Sequence, residues 1–197
     1  MIGGLLILSG TAAVIVAVSD QQHAPRPASS AAGATRASAG GPSLRRSLPV
    51  SIDIPAIGVK SELLRLGVSR DGTIRVPSLD ATPGQAAWFK DSKTPGQVGV
   101  SVIEGHVDTH TGPGIFFRLG GLRPGDIVKV RLADGATAVF RISGVRQYLK
   151  SKFPAKTIYA ATRYSALRLI TCGGNFDFAT GHYLSSTVVF AHLASAR

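Results

Sequence analysis

Arg123-Pro124-Gly125-Asp126-Ile127-Val128-Lys129-Val130-Arg131-Leu132-Ala133-Asp134-Gly135-Ala136-Thr137-Ala138-Val139-Phe140-Arg141-Ile142 is the stretch whose reading decides the fold. Proline and glycine at the centre of Arg123–Asp126 predict a type II turn, because its second central position needs a positive φ. Val128, Val130 and Leu132 then share one face of an extended segment, and Ala138, Phe140 and Ile142 share one face of the next. A side-chain period of two is that of a half-buried strand. Asp134-Gly135 between the two segments is a hairpin turn signal.

The same reading extends in both directions. Upstream, Val50, Ile52 and Ile54 alternate with polar residues and stop at Pro55. With the central pair bounded as Asp126–Leu132 and Thr137–Ile142, further strands are expected at Leu63–Leu66, Thr73–Val76, Val98–Ile103, Val145–Leu149, Leu167–Thr171 and Tyr183–Phe190. Helical periodicity is brief, at Gly114–Gly120 and Lys156–Ala161. Trp88-Phe89 and Phe116-Phe117 read as core or groove wall. Many short strands punctuated by glycine and proline predict a mainly β protein built as a closed or nearly closed barrel. A folded unit over residues 48–197 is long enough for one such core.

The N-terminus is different. Ile2 to Val18 holds no charged residue, and at about 1.5 Å per residue it approaches the roughly 30 Å hydrocarbon core of a bilayer. No basic residue precedes it, and Val16-Ala17-Val18-Ser19 matches a cleavage site only loosely. Residues 1–19 are therefore expected to be an uncleaved membrane anchor rather than a signal-like segment. Residues 20–47 are rich in Ala, Ser, Pro, Gly and Arg and are expected to form a disordered linker holding the domain away from the membrane. The bulk of the chain is then exported, and the protein is a single-pass membrane protein with an extracytoplasmic domain. The net charge of +11 is spread without clusters interleaved with aromatics, which speaks against a nucleic-acid partner. Anionic lipid headgroups and cell-wall polymers are the expected counter-surfaces.

In that setting the one cysteine, Cys172, stands out. Outside the cytoplasm cysteines are usually paired, and this thiol has no partner in the chain. It is a buried inert residue, a site of oxidation or a nucleophile. It closes the apolar run Leu167-Arg168-Leu169-Ile170-Thr171 and is followed by Gly173-Gly174. A thiol becomes a nucleophile when a base or cation takes its proton or lowers its pKa. His106, just past the Val98–Ile103 strand in Ile103-Glu104-Gly105-His106-Val107-Asp108, is the candidate base.

Gly105-His106-Val107-Asp108, Phe117-Arg118-Leu119, Gly121-Leu122-Arg123-Pro124-Gly125-Asp126 and Leu169-Ile170-Thr171-Cys172-Gly173-Gly174 together resemble a sortase. Cys172-Gly173-Gly174-Asn175-Phe176-Asp177 and Thr180-Gly181-His182-Tyr183 are most similar to the actinobacterial class F branch. The resemblance runs from about Leu48 to the C-terminus. It implies an eight-stranded barrel and a monomeric cysteine transpeptidase without cofactor or metal. The Cys172 thiolate would attack the Thr–Gly bond of an LPXTG-like sorting signal, and the acyl group would pass to an amine of a cell-wall precursor or a pilin. His106 would protonate the leaving amine and deprotonate the incoming one. Asp108 is a candidate to orient His106, while Thr171, Gly173, Gly174 and His182 are candidates for substrate contact.

The sequence departs from the family at one point. The arginine that the family carries on its last strand is expected near Leu184 to Ser186, and no basic residue occurs there. Losing an oxyanion donor costs on the order of 3 kcal/mol. Ser186 stands near the family position, and Arg118, from another loop, is an outside candidate for the role. Two other functions compete. His106-Val107-Asp108-Thr109-His110 is an H-x-D-x-H run that a metal-dependent hydrolase would use, with His182 as a further ligand. The missing arginine instead favours a catalytically impaired, wall-binding domain of the same fold.

Overall fold

The computed structural model describes residues 24–34, 40–70, 72–82 and 84–197. Eight strands close a barrel: β1 (Pro49–Ile54), β2 (Val59–Leu66), β3 (Ala86–Phe89), β4 (Gly99–Glu104), β7 (Ile127–Leu132), β8 (Thr137–Leu149), β9 (Ser165–Asp177) and β10 (His182–Ala196). Their order around the barrel is β1-β2-β3-β4-β9-β10-β8-β7, with β7 returning to β1. The pairs β2/β3 and β4/β9 are parallel, and the rest are antiparallel. Two short strands, β5 (Asp108–Thr109) and β6 (Gly112–Pro113), form a separate ribbon after β4. Among the described residues one α-helical turn, α1 (Ala155–Ile158), and several 3-10 turns complete the fold.

The deciding stretch folds as its pattern requires. The Asp126 N–H donates to the Arg123 carbonyl at 3.1 Å, and Gly125 takes φ +99°. Gly135 carries the β7–β8 hairpin at φ +88°. The register sets Val128 against Phe140 and Val130 against Ala138, so the two apolar rows meet inside the barrel. Trp88, Phe116, Leu167, Leu169 and Val189 complete that interior.

Some strands differ from their sequence expectation. Thr137–Ile142 and Val145–Leu149 join in one strand, β8, because the Ser143-Gly144 interruption is absorbed opposite an irregularity at Phe190/Ala191 of β10. Thr73–Val76 forms no strand; an isolated Val68–Ile74 bridge is what pairs there. β3 was not legible, since Ala86, Ala87 and Trp88 are all buried and no alternation marks them.

A second apolar layer lies outside the barrel wall. Val100 and Val102 of β4, Ala166 and Ile170 of β9, and Val188 and Phe190 of β10 alternate with the interior rows. They are covered by Ile158 and Tyr164 of the β8–β9 connection, with Phe153 packed beside them. This layer explains why β9 is buried on both faces from Ser165 to Thr171.

The expected linker is ordered in part. Residues 29–32 form a 3-10 turn whose Ala31 is 2% exposed and belongs to the main core. The Arg146 guanidinium donates to the carbonyls of Ala32 and Gly33 at 3.0 and 3.1 Å. Arg26 donates to Asn175 Oδ1 at 2.5 Å. Leu44 packs on the core, and its N–H donates to the Gly96 carbonyl. A side chain as small as alanine can enter the wall, and arginine satisfies the carbonyls it brings along, so polar composition did not exclude docking. Residues 1–19, the expected anchor, lie outside the described residues. No helix among the described residues is long and apolar enough to cross a membrane.

Candidate active site

The parallel ladder between β4 and β9 brings the two central residues together. Its register runs from Gly99 opposite Ser165 to Glu104 opposite Ile170, and the Gly105 N–H donates to the Ile170 carbonyl beyond it. Continued by two residues, that register places His106 beside Cys172. Adjacent strands lie about 4.8 Å apart. Both side chains are half-buried and line one cavity of about 510 Å³ on the outer face of the barrel. Ser186 of β10 is paired with Cys172 from the other side and lines the same cavity.

His106 Nε2 lies 2.7 Å from the Pro77 carbonyl. A carbonyl can only accept, so Nε2 carries the proton and donates it. In the neutral ring, Nδ1 then has the lone pair and is the atom available for proton transfer. Among the described residues no hydrogen bond joins Asp108 to this ring. Its carboxylate accepts a hydrogen bond from the Tyr183 hydroxyl, and burial, followed by this hydrogen bond, raises the Tyr183 pKa.

The cavity walls are apolar, formed by Ile74, Val76, Phe153 and Ile170. Two charged residues that the sequence did not single out also line it. Lys150 follows β8 directly, and its side chain has no hydrogen bond or ion pair among the described residues. Among the described residues it contributes the only Lys or Arg side chain to this cavity. The β8–β10 register sets Leu149 against Ser185, so Lys150 comes from the strand next to the positions where a base was expected. Leu184 itself is 46% exposed. Glu104, the last residue of β4, shares the outward side of Val100 and Val102.

Several predicted contacts are not brought together. Thr171 lines the cavity, but Gly173, Gly174, His182 and Arg118 do not. A side chain at Gly173 would meet Thr187 Oγ1 at 2.9 Å and one at Gly174 Ser185 Oγ at 2.8 Å, so these glycines serve the packing of β9 on β10. His182 is exposed opposite Asp177. Arg118 is exposed and lines a different cavity, with Ile57, Lys60 and Phe117. His110 is also exposed, and among the described residues no three His, Cys, Asp or Glu side chains gather as a metal site. Arg168 is 2% exposed, on the same face of β9 as Cys172 but about 13 Å back along the strand. Its guanidinium lies 4.7 Å from the Phe190 ring centroid, too deep to serve the thiol.

Burial raises the Glu104 pKa from 4.5 to about 7. Between those values the folded protein binds more protons than the unfolded chain, so this group's contribution to stability falls as pH rises. Glu104→Gln is expected to be more stable than the native protein at pH 8, by on the order of 3 kcal/mol or less. The gap should close towards pH 4.5 in urea unfolding at the two pH values. An equal gap at both would show that the carboxyl is not held away from water.

The sortase domain model matches residues 52–194. No match was found among curated proteins. Among solved structures, sortase C1 from Streptococcus agalactiae superposes with TM-score 0.56 at 19% identity, covering 74% of this chain and 66% of that one, slightly under two thirds of its length. Sortase A from Listeria monocytogenes gives TM-score 0.56 at 14% identity, covering 78% and 90%. The SrtA sortase from Actinomyces oris gives 0.55 at 19%, covering 82% and 89%. With a closed barrel of this order, a cysteine and a histidine lining one cavity, and a domain match over most of its length, the chain belongs to the sortase family.

Proposed function

We propose that the protein is a membrane-anchored, extracytoplasmic cysteine transpeptidase of the class F-like branch, acting on LPXTG-like sorting signals. The observation that carries this reading is the cavity shared by Cys172 of β9 and His106, which follows the adjacent strand β4 by two residues. The Cys172–Asp177 and Thr180–Tyr183 motifs support the branch. An apolar residue 2–18 segment and a net charge of +11 support a position at an anionic membrane surface.

The chemistry is acyl transfer in two steps. The Cys172 thiolate attacks the scissile carbonyl, forming a C–S bond and an oxyanion. The C–N bond then breaks, and the leaving amine takes its proton from the His106 imidazolium at Nδ1. A second amine attacks the thioester, gives its proton back to Nδ1, and releases the thiolate. Lys150 and the Ser186 hydroxyl supply the donors for the oxyanion in place of a last-strand arginine.

Intact-mass measurement of the protein with a sorting-signal peptide tests the reading. A hydroxylamine-sensitive adduct at Cys172, converted to product by an added amine, is the expected result. Peptide capture without an adduct would favour a wall-binding domain.

A further inference from the structure

Within the proposed transpeptidase, whose reading this inference rests on, we infer that Glu104 selects a donor peptide that carries a lysine side chain into the Cys172 cavity. The carboxyl stands at the end of β4, next to Ile170 across the parallel ladder and one strand step short of Cys172. Among the described residues no hydrogen bond or ion pair engages it. A carboxyl in an apolar setting without a partner is costly to the fold and is relieved when a ligand supplies the missing donor.

The rest of the cavity defines what that ligand looks like. Ile74, Val76, Phe153 and Ile170 form apolar walls around a single acid. A leucine would fit the walls but bury the carboxyl unpaired. A short amide would meet the acid but leave the walls without contact. A lysine has four methylenes for the walls and an ammonium for the carboxylate, which is how amphipathic side chains distribute themselves. The donor peptide occupies the cavity first, before any acceptor amine, so it is the reactant that must displace water from Glu104.

Other titratable groups face this space. Lys150 approaches from the end of β8, Tyr159 from the end of α1, and His106 and Cys172 from the reactive end. Burial, and after it the negative charge of Glu104, raises the Tyr159 pKa, which places the two within electrostatic reach. Burial lifts the carboxyl to about 7, so it is ionised at pH 8 and protonated at pH 5.5. Lysine recognition should therefore strengthen as pH rises.

The test uses the full chain and pairs of sorting peptides that differ by lysine against norleucine at each position upstream of the scissile bond. Binding is read by fluorescence anisotropy on Cys172→Ala, and adduct formation by intact mass on the native protein. At one position, lysine should bind about tenfold more tightly than norleucine at pH 8, a hydrogen bond to a charged group being of that order. The preference should vanish at pH 5.5 and, at both pH values, in Cys172→Ala/Glu104→Gln. Lys150→Met added to Cys172→Ala should enlarge it. The inference is overturned by lysine and norleucine binding alike at every position, by a preference that survives Glu104→Gln, or by a Glu104 effect on the acceptor amine alone. A lysine preference in binding without any adduct would instead sink the transpeptidase reading and leave this one standing.

Discussion

Cys172→Ala is expected to abolish thioacyl formation, lowering transfer by on the order of 10⁴-fold or more, as loss of a nucleophile does in acyl-transfer enzymes. The reason is chemical rather than structural. Cys172 is half-buried at the cavity edge, and alanine keeps the strand and its pairing with Ser186. Loss of one sulfur leaves the His106–Pro77 hydrogen bond intact. The variant should therefore fold, bind the sorting peptide and show no mass adduct. A metal-dependent hydrolase built on His106, Asp108 and His110 predicts the reverse: activity surviving the substitution and lost to a chelator. Transfer persisting in Cys172→Ala would remove the basis of the proposed mechanism.

The second large effect is expected at Lys150. Lys150→Met should lower the rate of adduct formation about a hundredfold, the usual cost of removing one oxyanion donor. Methionine keeps the length and apolar character of the stem, so binding of a lysine-free sorting peptide to Cys172→Ala should be little changed by it. Lys150→Arg should retain most of the rate, because the guanidinium also donates at this reach. The contrast between rate and binding separates an oxyanion role from a purely structural one. Ser186→Ala should add a smaller loss, since a neutral hydroxyl is a weaker donor than an ammonium. A Lys150→Met protein with native adduct kinetics would assign the oxyanion to other donors.

Much of the barrel was legible from local pattern. The β7–β8 hairpin is announced by Asp134-Gly135 and by apolar rows of period two, which depend only on neighbouring residues. β3 was hidden because burial on both faces erases alternation, as at Ala86, Ala87 and Trp88. The docked segment at residues 24–34 was hidden because a single small apolar residue, Ala31, does the packing. In the site, Cys172, His106 and Ser186 were reachable because each sits in a motif or near a family position. Lys150 and Glu104 were not, because one reads as a surface lysine and the other as a strand-end carboxylate. The signal that finds them is parity along the outer faces of β8 and β4, and it is informative only after the neighbouring strands are known.

Taken by itself, the order of residues determined a mainly β domain, a lone thiol with a candidate base, and the absence of a base near Leu184 to Ser186. Those features depend on residue type and short-range periodicity. Only the tertiary structure decided which charged groups meet the thiol. The β4–β9 and β8–β10 registers join segments far apart in the chain, and a slip of one residue would turn Glu104 or Cys172 to the opposite face. That is why Asp108 went to Tyr183, Arg118 to another cavity, and Lys150 and Glu104 to the side of Cys172.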